Sequence, residues 1–138
     1  MNRGSVDSFL RARGLRVTLQ RVRLLDALAD LHRPVSAEEL HREVRAIDVV
    51  TVYRVLQRFV NEGIAREVRF KDGVVRYEFA GSPHHHHVVC TKCGLVDELQ
   101  SCDAHQLEAH ALTASKRFAQ IDEHALEFFG TCTSCATK

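Results

Sequence analysis

A chain of 138 residues with 45% hydrophobic and 27% charged side chains is long enough to bury a core and too polar to live in a bilayer. No apolar run approaches the ~20 residues of a membrane span, and the N-terminus lacks the basic and apolar regions of a secretion signal, so a cytoplasmic protein without membrane contact is expected. The formal charge of +1 conceals an asymmetry: residues 1–82 carry 15 Lys and Arg against 11 Asp and Glu, and residues 83–138 carry 4 against 7. The acidic part also holds all five cysteines and seven of the nine histidines. This split predicts two domains with separate roles, 1–82 and 83–138.

A first helix is expected from Ser5 to Arg13, stopping at Gly14, and a second from Thr18 to Leu31, where Val22, Leu25, Leu28 and Ala29 share one face. Pro34 closes that segment. Ser36-Ala37-Glu38-Glu39 has the form of a capping box, and Ala37, Leu40 and Val44 continue it at helical spacing. After Asp48 comes VVTVYRVLQRFVNEG, with Val52, Val55, Leu56, Phe59 and Val60 on one side and Tyr53, Arg54, Gln57, Arg58 and Asn61 on the other, ending at Gly63. IAREVRF and VVRYEF then alternate about Lys71-Asp72-Gly73, a hairpin signal. Two helices, a short turn and a hairpin describe a winged helix-turn-helix whose second helix lies in a DNA major groove. The polar face has the chemistry for such docking, since arginine pairs with phosphate or guanine, glutamine and asparagine read adenine, and a tyrosine ring meets a thymine methyl. The same pattern, taken alone, also describes a solvated helix face.

The second part is more specific. Cys90-Thr91-Lys92-Cys93 and Cys132-Thr133-Ser134-Cys135 form two CxxC turns 38 residues apart, the spacing of a closed tetrahedral zinc site with no open position for catalysis. A redox dithiol would sit in a βαβ pattern, which is missing here. Cys102 is left over and is expected as a small buried apolar side chain. The run HHHHVVCTKCG is internal, holds four histidines and leads into a strand-like VVC, so it is not a purification tag. Alternation along a strand sends His84 and His86 to one face and His85 and His87 to the other, enough to feed two metal sites. A helix from Asp103 to about Ser115 carries His105 and His110, and His124 opens the strand-like HALEFFG.

Together, GLRVTLQR, VSAEEL, TVYRVLQRFVNEGI, YEF, HHHHVVCTKCG and HALEFFGTCTSC occur in an order that resembles the ferric uptake regulator family over nearly the whole chain. The resemblance implies an α+β protein: a winged-helix DNA-binding domain, then a small α/β dimerisation domain with a structural zinc on Cys90, Cys93, Cys132 and Cys135. It implies a homodimer that binds a palindromic operator on double-stranded DNA, takes no small-molecule substrate and represses metal-uptake genes. His84, His86, His105 and His124 occupy the positions of the family's sensory metal site, with His110 or Cys102 as competitors of His105 for its place. Glu78, His87 and Glu98 occupy those of a hinge site, in which a further histidine is expected where Pro34 stands and His32 is the available substitute. For DNA, Thr51, Tyr53 and Arg54 match the TVYR motif, joined by Gln57 and Arg58 on the same helix and by Arg16, which matches a basic residue that reaches toward the minor groove.

Two departures bear on the metal. Iron-type members have an aspartate and a glutamate where His86 and His105 stand, and a neutral, nitrogen-rich site favours Zn²⁺ over Fe²⁺ or Mn²⁺. The expected function is therefore a zinc-responsive repressor, with iron-, manganese- or peroxide-responsive members of the family as the alternative. Of other classes, a zinc-dependent enzyme would need HExxH or the deaminase signature, neither of which occurs. A zinc-ribbon module that does not touch DNA would show no salt-dependent operator binding.

Overall fold

The computed structural model describes residues 3–138, which divide between Ser82 and Pro83 into two compact units. In the first unit α1 (Arg3–Ala12), α2 (Leu19–Asp30), α3 (Ala37–Glu43) and α4 (Val49–Asn61) precede a hairpin of β1 (Ala65–Arg69) and β2 (Val75–Phe79). Each helix after the first starts on a side-chain cap. Thr18 Oγ1 accepts from the Arg21 N–H at 3.3 Å. Ser36 Oγ accepts from the Glu39 N–H at 3.1 Å while the Glu39 carboxylate accepts from the Ser36 N–H at 2.8 Å, the reciprocal pair of a capping box. Asp48 opens α4 by accepting from the Thr51 N–H at 2.9 Å. The far end of α4 stops at Gly63, whose φ of +67° is open to glycine at no steric cost and lets the Ile64 N–H reach back to the Phe59 carbonyl at 2.8 Å.

The core of this unit is built from the apolar faces of all four helices and the inner side of the hairpin, including Leu10, Leu25, Leu28, Leu40, Val52, Leu56, Phe59 and Tyr77. β1 and β2 pair antiparallel from Ala65 opposite Phe79 to Arg69 opposite Val75. At the tip, Gly73 takes φ +73° and the Arg76 guanidinium forks onto Asp72 at 2.7 and 3.0 Å. Val35 adds a bridge to Tyr77, so the segment between α2 and α3 is tied to the wing. Phe59 is fully buried among these elements, and Phe59→Ala is expected to destabilise the unit by about 3–5 kcal/mol. Urea unfolding followed by far-ultraviolet circular dichroism would measure this. A loss below ~1 kcal/mol would mean the site collapses without a cavity.

In the second unit β3 (His86–Cys90) is the central strand, antiparallel to β4 (Val96–Leu99) and parallel to β5 (Glu127–Gly130), with α5 (His105–Ala114) between β4 and β5 and a single turn, α6 (Thr133–Ala136), at the end. Two boundaries differ from the sequence expectation. The strand expected to open at His124 begins at Glu127, leaving His124 in the preceding irregular segment. The helix expected from Asp103 begins at His105, because Ala104, already in αR geometry, is its cap residue and no side chain caps it. The buried apolar side chains here are few: Val89, Cys90, Val96 and Ala104. Helix α5 buries none, and Leu95, Leu107, Phe118 and Phe128 are exposed. Among the described residues no helix is long and apolar enough to cross a membrane.

Candidate metal centres and nucleic-acid interface

Cys90, at the end of β3, and Cys93, in the turn after it, face Cys132 and Cys135 from the start of the last turn of helix. Parallel pairing of β3 with β5 brings them together: Cys90 lies opposite Gly130, and the Thr91 N–H donates to the Gly130 carbonyl at 2.8 Å, so both CxxC turns leave the strands at the same end of the sheet. The ligand atoms all lie within 4.8 Å of one another. Cys93 Sγ and Cys132 Sγ are 3.7 Å apart. A Zn–S bond of ~2.3 Å gives a tetrahedron with an edge of roughly 3.8 Å, so the spacing fits zinc. Backbone N–H groups, the largest contribution coming from Cys132, pull the Cys90 thiol down to about 6, while the neighbouring sulfurs of Cys132 and Cys93 push Cys135 up to about 12. Such a group cannot ionise fully by itself. A divalent cation held by all four sulfurs would remove that repulsion, and the donor set fits a structural zinc.

Of the histidine run, His84 and His85 precede β3 and His86 and His87 open it. The rings of His84 and His86 meet edge to face with centroids 4.6 Å apart, and those of His85 and His87 do the same at 4.9 Å. His124 joins the first pair: the three Nε2 atoms lie 3.2 Å (His84–His86), 3.0 Å (His84–His124) and 3.2 Å (His86–His124) apart. Zn–N bonds of ~2.0–2.1 Å give a tetrahedral edge of roughly 3.3 Å, so three ring nitrogens converge at metal-binding distances. Burial, with the neighbouring imidazoles His84 and His124 next, pushes the His86 pKa down and favours the neutral ring. The Leu126 N–H lies 3.3 Å from His86 Nδ1, at the long end of hydrogen bonding.

The first unit presents a different chemistry. Tyr53, Arg54, Gln57 and Arg58 are exposed on α4, while Val52, Val55, Leu56 and Phe59 are buried behind them. Together with Arg16, Thr18 and Arg21 they line an open concavity that has four arginines and no acidic side chain. Arg21 Nη1 donates to the Arg16 carbonyl at 2.8 Å, which ties down the loop bearing Arg16. Arg21 was not singled out by sequence; a basic residue in the first turn of a capped helix was the available signal. The Tyr53 hydroxyl donates to Glu38 of α3 at 2.5 Å, which lowers the Glu38 pKa and raises that of Tyr53. Thr51 has a different employment: its hydroxyl donates to Asp48 at 2.7 Å, completing the cap of α4. Its proton is unavailable to a phosphate, and Arg58 is already paired with Glu62 at 2.8 Å.

The ferric uptake regulator family model matches residues 12–129. The chain is 36% identical over 135 residues to the ferric uptake regulation protein of Neisseria meningitidis, covering 94% of this chain and 92% of that one. It belongs to the ferric uptake regulator family. Among solved structures, the ferric uptake regulator of Vibrio cholerae superposes with a TM-score of 0.76 at 34% identity, over 91% of this chain and 98% of that one. A zinc-bound manganese uptake regulator gives 0.74 at 32% identity, over 92% and 98%. The α+β fold with its helical first unit is thus the family's, and this ferric uptake regulator family member is a metal-responsive transcription regulator, not an enzyme.

One residue of the expected sensory set lies apart from the others. His105 opens α5 with its side chain 90% exposed and 3.7 Å from Glu108, outside the group formed by His84, His86 and His124. The residue that completes that group is Cys102, whose Sγ lies 2.9 Å from His124 Nε2. Cys102 is half-buried and polar in its contact, not the apolar filler expected from sequence. The residues expected at the hinge site divide between the units. In the first, Glu78 is buried in β2 and paired with Arg66 at 3.2 Å, and His32 is exposed in the α2–α3 loop with φ +47°. In the second, His87 of β3 stands opposite Glu98 of β4, whose carboxylate accepts from Gln100 at 3.3 Å.

Proposed function

We propose that this family member is a zinc-responsive, operator-binding repressor of metal-uptake genes, acting as a homodimer. Residues 1–82 bind double-stranded DNA and residues 83–138 bind metal and dimerise. The observation that carries the metal assignment is the convergence of three imidazole nitrogens at 3.0–3.2 Å: neutral nitrogen donors suit zinc, whereas Mn²⁺ and Fe²⁺ prefer sites richer in oxygen. A second zinc, on the four cysteines, holds the fold. The names of the relatives, ferric uptake regulation proteins, favour the iron-responsive reading instead. Titrating operator binding with Zn²⁺, Fe²⁺ and Mn²⁺ at matched free-ion concentrations separates the two. Zinc acting first supports the proposal, and iron(II) or manganese acting as well as zinc overturns it.

Dimerisation is supported by the second unit's exposed apolar side chains, Phe128 among them at 50% exposure on the edge strand β5, and by a helix α5 with no buried residue. DNA binding is supported by the acid-free, arginine-lined concavity around α4. Metal binding acts by favouring the arrangement of the two winged helices that matches a palindromic operator, and a coupling of ~1–3 kcal/mol is enough to change operator affinity about 5- to 150-fold. For the recognition helix, Arg54→Ala is expected to weaken operator and random DNA alike and to reduce the slope of log affinity against log salt by about 1. Tyr53→Phe removes the hydroxyl held by Glu38 and should weaken the operator complex selectively. Fluorescence anisotropy across a salt series would check both, and unchanged operator affinity in both variants would remove α4 as the docking helix.

A further inference from the structure

We propose that Cys102 supplies a thiolate to the three-histidine site, making it a His₃Cys centre, and that Glu108 is the positioning residue for His124; the proposal rests on the metal-binding reading of that site given above. The geometry comes from two elements. Cys102 precedes α5 by three residues, in the segment that leaves β4, and its sulfur contacts His124 Nε2 at 2.9 Å, the same atom that faces His84 and His86. The four donor atoms all lie within 4.8 Å of one another. Glu108, one turn into α5, sits 2.6 Å from His124 Nδ1. A carboxylate there receives the Nδ1 proton, fixes the tautomer and leaves the Nε2 lone pair aimed at the other three donors. The two ring nitrogens of His124 therefore have separate duties.

The chemistry distinguishes Cys102 from His105, the alternative on the same stretch of chain. His105 faces solvent, and the nearest carboxylate, that of Glu108, lies at 3.7 Å. Cys102 cannot be drawn off into a zinc knuckle, because the other four cysteines already form their own group. A thiolate adds one negative charge and a soft donor to three neutral nitrogens. Soft donors raise the preference for Zn²⁺ and Co²⁺ over Mn²⁺ at a four-coordinate site, so Cys102 is a specificity-determining residue as well as a ligand.

Cobalt(II) reads this directly. Full-length protein carrying one tightly bound zinc per chain is titrated with Co²⁺ under anaerobic, reducing conditions, and zinc retention is measured at the end so that absorption from the four-cysteine site is excluded. The expected result is one further equivalent of Co²⁺, showing intense tetrahedral d–d bands together with a near-ultraviolet sulfur-to-cobalt charge-transfer band. In Cys102→Ser the charge-transfer band is lost while His-ligated cobalt still binds, and in His105→Ala the spectrum is unchanged. Glu108→Gln keeps the charge-transfer band and weakens cobalt binding about 10- to 100-fold, as expected for loss of a carboxylate behind a ligating histidine. Cobalt bound without the charge-transfer band in the unmodified protein, or a band that survives Cys102→Ser, overturns the thiolate assignment and leaves the three-histidine site standing. No cobalt bound beside the retained zinc overturns both the assignment and the metal-site reading beneath it. Loss of cobalt in His105→Ala transfers the fourth position to His105 and overturns the proposal.

Discussion

Cys90→Ser and Cys132→Ser are each expected to leave the second unit unfolded while the first keeps its helices. The reason is the distribution of apolar burial. The large core cluster lies entirely within residues 6–77, whereas the second unit buries only Val89, Cys90, Val96 and Ala104 from the apolar set. So small a core does not offset the conformational entropy of ordering more than fifty residues. Structural zinc contributes ~10–16 kcal/mol of apparent binding free energy in small zinc-finger peptides, comparable to or larger than the ~5–15 kcal/mol that stabilises a typical domain. Removing one sulfur also removes the tie between strands, since Cys90 ends β3 and Cys132 follows β5. Zinc content should fall to well below one tightly bound ion per chain, hydrogen exchange in β3–β5 should become unprotected, and sedimentation should show loss of the dimer. A stable Cys90→Ser dimer that retains its zinc would count decisively against the structural role assigned to this site.

The second large effect is expected at the three-histidine site. His86→Ala and His124→Ala should each abolish zinc-dependent operator binding, a loss of up to about 150-fold if the coupling lies at the upper end of its usual range. His86 is buried at the start of β3 and His124 is the histidine contacted by every other member of the group, so neither has a neighbour able to replace it. His105→Ala, by contrast, should leave the zinc response intact, because its side chain points into solvent. The four-cysteine site lies outside these changes, so the variants should still hold one zinc and remain folded dimers. Mobility-shift titrations at buffered free zinc, with metal content measured in parallel, decide the matter. If His105→Ala loses the response and His124→Ala keeps it, the ligand set is wrongly drawn.

Much of this protein was legible in its sequence because the signals concerned are local. The capping box at Ser36 and Glu39, the apolar stripe of Val52, Val55, Leu56 and Phe59, and the Asp72-Gly73 turn each depend on residues within a few positions of one another, and all appear in the fold. The order of motifs along the chain likewise identified the family that the comparisons show. Alternation along HHHH also indicated that His84 would side with His86 and His85 with His87, and the rings pair in that way although only His86 and His87 lie in β3. What tertiary structure decided was which donor reaches a site from a distant segment. Spacing could not choose between Cys102 and His105, three positions apart: α5 starts at His105 and turns that side chain outward, whereas the irregular segment just before it passes His124 with Cys102 facing in. The same limit applied to Thr51, whose hydroxyl is taken by Asp48, and to Arg21, which holds the Arg16 loop. A helix's period is set by its own backbone, but the path of a loop and the partner of a side chain are set by packing between segments far apart in the chain, and that information is not local in the sequence.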